Sequence, residues 1–284
     1  MARRLARVLN WNRHSYVLLS GFLATLLVIG YVWWPLAVDY LAAFSPHYPW
    51  WLQVDWLLIG LFAAMSLLIM AGADLKADAL IVLVGVGGGL VIEAWGTQTS
   101  LWMYYTHERP PLWIIPAWPI ASLAIDRLYR ALDRLTRDAG PVTGARVARS
   151  ASVLRLPSRL RPPWASLYWI VFPAFYLLML HFVWPTRDRP LTLGALAVCA
   201  LLIAAPGDRR AAVLIFAAGS GLGYGLELWG TTRACWTYYT LETPPLFAVL
   251  AHGLAAVAFW RTGALLRSRL PVIPPQRARG SPSR

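Results

Sequence analysis

The chain has 284 residues, 58% of them hydrophobic and 14% charged, with a net charge of +13. A charged fraction far below the roughly 25% of soluble domains excludes an ordinary globular cytosolic protein. No Walker loop, G-x-S-x-G or H-E-x-x-H is present, so those soluble catalytic classes are excluded as well.

Residues 1–14 are a basic lead containing Arg3, Arg4, Arg7 and Arg13. Eight apolar stretches follow, each long enough to span a bilayer: 15–37, 54–72, 77–95, 111–131, 164–185, 189–206, 209–229 and 245–266. The fold class is therefore an all-α integral membrane protein with eight transmembrane helices. The first run is full length and lacks a small-residue cleavage site, so it reads as a retained signal anchor. With the N-terminus in the cytoplasm, only Arg109, Arg187, Arg189 and Arg233 of the 26 basic residues fall outside. That asymmetry places both termini in the cytoplasm of a bacterial-type inner membrane. The basic face suits anionic lipid. Nucleic acid is not expected as a partner, because no soluble domain accompanies the charge.

The second half repeats the first. EAWGTQTSLWMYYTHERPPL at 93–112 aligns without gaps with ELWGTTRACWTYYTLETPPL at 227–246, at a constant offset of 134. Arg127 and Arg261 share that offset, and FLATLLVIGYVWWP (22–35) echoes FPAFYLLMLHFVWP (172–185). The organisation read from this is a first four-helix repeat over 1–131 and a basic, flexible cytoplasmic linker over 132–163. A second four-helix repeat occupies 164–268, and a basic disordered tail 269–284. Each unit has an even number of spans, so the two insert in the same sense, related by a pseudo-twofold axis along the membrane normal. Both aromatic loops then lie on the outer face.

Gly85, Gly89 and Glu93 share one helix face at spacings of four, as do Gly219, Gly223 and Glu227. G-x-x-x-G faces let helices approach closely in lipid, so the third and seventh spans are expected to pack together and bring Glu93 towards Glu227. A carboxylate in the bilayer costs on the order of a few kcal/mol unless paired, hydrated or protonated. Burial and a like-charged neighbour both favour a protonated carboxyl, which can hand a proton to an apolar substrate. The competing reading is that each glutamate bonds its own outer loop, for example at Thr97 or Thr231.

The loop aromatics Trp95, Trp102, Tyr104 and Tyr105, with Trp229, Trp236, Tyr238 and Tyr239, fit either an interfacial belt or a wall that stabilises a cation. On the second reading Trp95, Trp102, Tyr105, Trp229, Trp236 and Tyr239, together with Thr97 and Thr231, bind substrate. The Pro-Pro pairs open the next spans, and Glu108 and Glu242 face water. The repeats differ where His181 replaces Tyr31 and His252 replaces Trp118. Hydrogen bonding between helices, a proton relay with Glu227, and a metal site with Glu and His ligands all suit these histidines, in that order. His107 in the first loop is solvated. Asp126 and Arg127 lie in the inner part of the fourth span. Arg127 is expected to snorkel to the inner interface as an anchor. No Cys/His metal spacing occurs, Cys199 reads as a small apolar residue, and Cys235 has no evident partner. No metal or cofactor is expected.

Glu93, Gly96, Trp102, Tyr104, Pro111, Pro116 and Trp118 form an ordered set: a glutamate ending a Gly-rich span, a W-x-Y loop, then prolines opening the next span. This pattern, about 30 residues per repeat, resembles the integral-membrane carotenoid hydratases and, more distantly, the tandem-repeat lycopene cyclases. The acidic pair the cyclases carry after the proline is missing, since Pro119 is followed by Ile120 and Ala121. The resemblance implies proton-initiated hydration or cyclisation of an isoprenoid double bond. The expected activity is thus an enzyme acting on a membrane lipid or isoprenoid, with Glu93, Glu227, His181 and His252 as catalytic residues. A lipid transporter or flippase and an assembly scaffold are the alternatives.

Overall fold

Asn12 starts the first helix because its side chain accepts from the His14 amide at 2.7 Å while Ser15 bonds back to the Asn12 amide. Residues 10–136 and 163–269 are described by the computed structural model. Their helices are α1 (Arg13–Val32), α2 (Trp34–Ala42), α3 (Trp50–Gln53), α4 (Trp56–Met70), α5 (Leu75–Gln98) and α6 (Ala117–Thr136) in the first half. The second half contributes α7 (Trp164–Phe182), α8 (Pro190–Ala204), α9 (Arg209–Thr232) and α10 (Leu246–Arg269). Two turns of 3-10 helix, Leu112–Ile114 and Trp184–Thr186, and two three-residue strands, β1 (Trp102–Tyr104) and β2 (Trp236–Tyr238), complete the described elements.

Asp74 and Asp208, at the repeat offset, cap α5 and α9 by accepting from the Lys76 and Ala211 amides, each at 3.0 Å. The described residues are all-helical apart from the short ribbon and loops, and among them α1, α5, α7, α9 and α10 are long and apolar enough to cross a membrane. The other three expected spans come out differently. α4 and α8 have 15 residues each, about 22 Å of helix against a hydrocarbon core of about 30 Å. The stretch expected at 111–131 begins with a turn of 3-10 helix at Leu112–Ile114, and its helix, α6, starts only at Ala117 and runs on to Thr136. That helix carries Asp126, Arg127, Arg130, Asp133 and Arg134, so one side of it must be covered by protein. The first expected span also breaks, at Trp33, where Pro35 opens α2. Of the expected linker, residues 132–136 continue α6, and most of the rest lies outside the described residues, as does the tail beyond Arg269.

The centre is built from α5, α6, α9 and α10. α5 packs on α6 and α10, and α9 packs on α10 and α6. α4 leans on α1 and α6, and α7 on α9 and α10. The expected approach of the two glycine faces to each other is not what they serve. A Cβ at Gly85 would meet Pro119 Cα at 2.8 Å, and one at Gly219 would meet the His252 carbonyl at 2.8 Å. Each glycine stripe therefore admits the helix that follows it in its own half, which a short loop holds close. Each half then leans on the other through α5–α10 and α6–α9 contacts.

β1 and β2 pair antiparallel, with Trp102 opposite Tyr238, Met103 opposite Thr237 and Tyr104 opposite Trp236. Met103 and Thr237 are themselves counterparts at the offset of 134, so the ribbon pairs each half with its own copy. Tyr105 N–H donates to the Cys235 carbonyl at 3.2 Å and Tyr239 N–H to the Leu101 carbonyl at 3.1 Å, extending the same exchange.

At the opposite end the recurring arginines cap carbonyls. Arg127 Nε donates to the Ala71 carbonyl at 2.9 Å, and Arg261 donates to the Leu202 and Ala205 carbonyls. Ala71 and Ala205 end α4 and α8. Arg127 is 6% exposed and also pairs with Asp78 at 2.7 Å and Asp126 at 2.5 Å. The expected snorkelling anchor is instead a buried clamp, because the counter-charge of Asp78 on α5 offsets the hydration that burial removes.

Candidate functional site

Each half places one glutamate in an equivalent cage. Glu93, near the end of α5, is 3% exposed. Its Oε2 accepts from Trp102 Nε1 at 3.1 Å, and its Oε1 accepts from the Tyr104 hydroxyl at 2.9 Å and Trp118 Nε1 at 3.1 Å. Glu227, near the end of α9, is 4% exposed. Its Oε2 accepts from Trp236 Nε1 at 2.9 Å, and its Oε1 accepts from the Tyr238 hydroxyl at 2.9 Å and lies 2.9 Å from His252 Nε2. Two ligands come from the ribbon and the third from the following helix, 25 residues after each glutamate. Three donors to one carboxylate supply much of the solvation that burial removes.

The local sequence explains the cage. In Trp-Gly-Thr, glycine leaves room for the loop tryptophan to fold back on its own helix: a Cβ at Gly96 would lie 1.9 Å from the Trp102 ring, and one at Gly230 would lie 2.0 Å from the Trp236 ring. Thr97 and Thr231 do not reach the carboxylates. Their hydroxyls donate to the Glu93 and Glu227 carbonyls at 2.6 and 2.7 Å, one turn back along the helix. Tyr105 and Tyr239 donate to the Val32 and Phe182 carbonyls at the ends of α1 and α7. Trp102, Tyr104, Trp229 and Tyr238 are buried, so they face protein and not a membrane interface.

The remaining Trp-Gly-Thr tryptophans cross between the halves. Trp95 Nε1 donates to Thr192 in the first turn of α8 at 3.2 Å. Trp229 Nε1 donates to Asp55, the cap of α4, at 2.8 Å, and Arg233 Nε donates to the same carboxyl at 3.0 Å. Desolvation pushes the Asp55 carboxyl up, but bonds from the Leu58 amide, Trp229 and Arg233 outweigh it and hold Asp55 below the usual range. Trp33, at the end of α1, lies tilted against Trp229 with centroids 5.0 Å apart and meets Trp113 edge-on at 5.7 Å.

Both cages border one cavity of about 940 Å³. Its walls are almost wholly apolar, with Ile29 from α1, Phe62 from α4, Val91 from α5, Val198 from α8 and Phe259 from α10. Glu93, Trp95, Trp102, Glu227, Trp229, Trp236 and His252 all line it. Trp118 and His252 stack on each other there, with centroids 5.9 Å apart and planes at 20°, so the two cages touch through their third ligands.

The structure thus gathers Glu93, Glu227 and His252 with Trp95, Trp102, Tyr104, Trp229, Trp236 and Tyr238, while Tyr105, Tyr239, Thr97 and Thr231, expected to bind substrate, are not part of the cavity wall. It does not bring His181 to them: His181 is exposed in the last turn of α7 and is not part of the cavity wall. Glu108, Glu242 and His107 are exposed on the loops. Among the described residues no group of three or more His, Cys, Asp or Glu side chains is placed to hold a metal ion. Sequence reasoning missed Trp118 as a ligand of Glu93, and it missed Asp55 and Thr192 as the crossing acceptors. The common spacing of 25 from each glutamate to its third ligand was a usable signal for the first. The other two carry none, since a single Asp or Thr at a helix start reads only as a cap.

These features define a polytopic helical membrane protein with a large apolar cavity polarised at one end by two caged carboxyls. No family model matches the chain, and neither a curated protein nor a solved structure matches it.

Proposed function

We propose that this protein is a membrane enzyme that acts on a lipid of isoprenoid type, using its embedded glutamates for acid/base chemistry. The observation that carries the reading is the opening of the caged carboxyls and His252 onto the apolar cavity of about 940 Å³. Ligand sites are characteristically apolar pockets with a few convergent polar groups, and a cavity of this size accommodates a long hydrocarbon chain. In the chemistry that fits, a proton from the carboxyl–imidazole group adds to one carbon of a double bond and leaves a cation on the other. The faces of Trp118 and Trp236 stabilise that cation. Water then attacks it in a hydration, or a neighbouring double bond in a cyclisation, and the surplus proton returns to the protein. No oxidant or reductant is needed. The likeness to carotenoid hydratases and lycopene cyclases points the same way.

The architecture belonging to this reading is two four-helix units related by a pseudo-twofold axis along the membrane normal, with the ribbon on the outer side of an inner membrane and both termini in the cytoplasm. The exchange of Met103 with Thr237 across the ribbon, the paired cages and the paired arginine caps support it. Anionic lipid covers the basic face.

The test is a mass-spectrometric profile of lipid and pigment extracts from a deletion strain, its wild-type complement and a Glu227→Gln complement of equal expression. One species is expected to accumulate in the deletion and the Gln strain and to be converted in the wild type. With the extracts resolved by chromatography before the mass measurement, a mass difference of about one water names a hydration, and a changed retention at unchanged mass names a cyclisation. Three identical profiles overturn the proposal.

A further inference from the structure

The two cages differ in one ligand, and that ligand changes what each cage can do. Trp118 and His252 occupy the same place: each follows its glutamate by 25 residues, bonds Oε1, and lies against a glycine one turn before that glutamate. A Cβ at Gly89 would come within 2.3 Å of the Trp118 ring, and one at Gly223 within 2.7 Å of the His252 ring. An indole has a single N–H, which donates and does not accept. Trp118 spends it on Glu93, so nothing on that ring can pass a proton onward. An imidazole has two nitrogens and gains or loses a proton near neutrality. With Nε2 engaged by Glu227, Nδ1 is the ring's second site for a proton.

We infer that the two cages divide the work: Glu227 and His252 alone handle the proton, while Glu93 with Trp118 is a non-transferring copy that shapes the cavity and stacks His252 in place. This rests on the acid/base reading above. The groups around His252 agree with it. Glu227 faces it from α9 and Trp118 from α6, Tyr238 of β2 shares the same Glu227 oxygen, and Glu93 of α5 accepts from the Trp118 indole that stacks on it. The His252 side chain is 18% exposed against 6% for Glu227. Both line the cavity, and the imidazole is the more exposed of the two, with the carboxyl placed to orient the ring and balance its charge. In the forward step Nδ1–H gives its proton to the substrate carbon. In the return step the proton lost by the added water, or by the cyclised cation, restores it.

The experiment compares Glu227→Gln, Glu93→Gln, His252→Trp and His252→Gln in the deletion strain, reading the ratio of converted to accumulated species per folded protein, with folding checked by size-exclusion in detergent. His252→Trp gives the second cage the ligand the first already uses, and His252→Gln keeps a side-chain donor for Glu227, so a merely structural histidine tolerates at least one of them. Expected is a loss of about 100-fold or more for Glu227→Gln and for both His252 variants, in keeping with lost acid/base catalysis, and a loss at least about tenfold smaller for Glu93→Gln. If Glu93→Gln loses as much as Glu227→Gln, or if a folded His252 variant keeps its product, the division of labour is overturned while acid/base chemistry stands. If no variant lowers the ratio, the acid/base reading itself falls.

Discussion

At Glu93 a tryptophan closes the cage, and at Glu227 a histidine does; every other ligand of the two carboxyls is matched in type and nearly in distance. The matched part is what burial demands, since a carboxyl removed from water needs several donors wherever it sits. The unmatched part is free of that demand, because both an indole and an imidazole offer a donor. A duplicated scaffold can thus keep the cost of burial met in both copies while one ligand changes the chemistry of a single copy.

The same contrast appears at the other end, where it predicts the largest effect on stability. Arg127 neutralises the buried Asp78, whose counterpart is the apolar Ala212, so Arg261 caps carbonyls alone. Arg127→Met strands a buried carboxylate and is expected to cost about 3–5 kcal/mol. Arg261→Met is expected to cost about 1–2 kcal/mol, the loss of bonds to carbonyls. Thermal unfolding in detergent separates them, and equal losses would mean that Asp78 needs no partner. Next in size, Gly96→Ala and Gly230→Ala drive a methyl into the Trp102 and Trp236 rings and are each expected to cost about 2–3 kcal/mol. A tolerated alanine at one position would show that its cage is the looser copy.

Smaller again, Tyr104→Phe and Tyr238→Phe each remove one bond of 2.9 Å from a carboxyl and are expected to cost about 1.5 kcal/mol apiece. Near-equal losses by the same unfolding assay support equal burial duty, whereas a twofold disparity would break the match. Least of all is Asp55→Asn, at the crossing bond that has no acidic counterpart near Trp95. The Asp55 carboxyl is held below its ordinary value, although desolvation opposes this, by bonds from Leu58, Trp229 and Arg233. A lowered carboxyl stabilises the fold above its unfolded value and loses that contribution as pH falls through the folded one. Wild type should therefore lose melting temperature as pH drops below about 4, and Asp55→Asn should lose less over the same interval.

Much of the site was legible because the repeat falls on it. Glu93, Glu227, the loop aromatics and the exchange of Trp118 for His252 all stand out at one offset, and the structure places all of them but Tyr105 and Tyr239 around one cavity. His181 stood out equally, as a histidine in an apolar segment, yet it lies on the exposed side of α7. Helical periodicity could not assign its face, because α7 is apolar all round. The glycine stripes were read correctly as contact faces and assigned the wrong partner, since a stripe specifies close approach and not which helix approaches.

What the sequence determined by itself was the membrane class, the duplication and the residues on which it centres, because composition, charge asymmetry and a fixed offset are properties of the chain alone. The tertiary structure decided that five helices have spanning length and composition, that α6 buries Arg127 and Asp133 against α5 and α9, and that each Trp-Gly-Thr tryptophan reaches into the opposite half. It also decided that each glutamate is bonded by its own loop and that the two cages meet through Trp118 and His252. The physical reason is that hydrogen bonds and stacking act over a few ångströms between segments up to 174 residues apart. Only the packed helices bring such segments within that range.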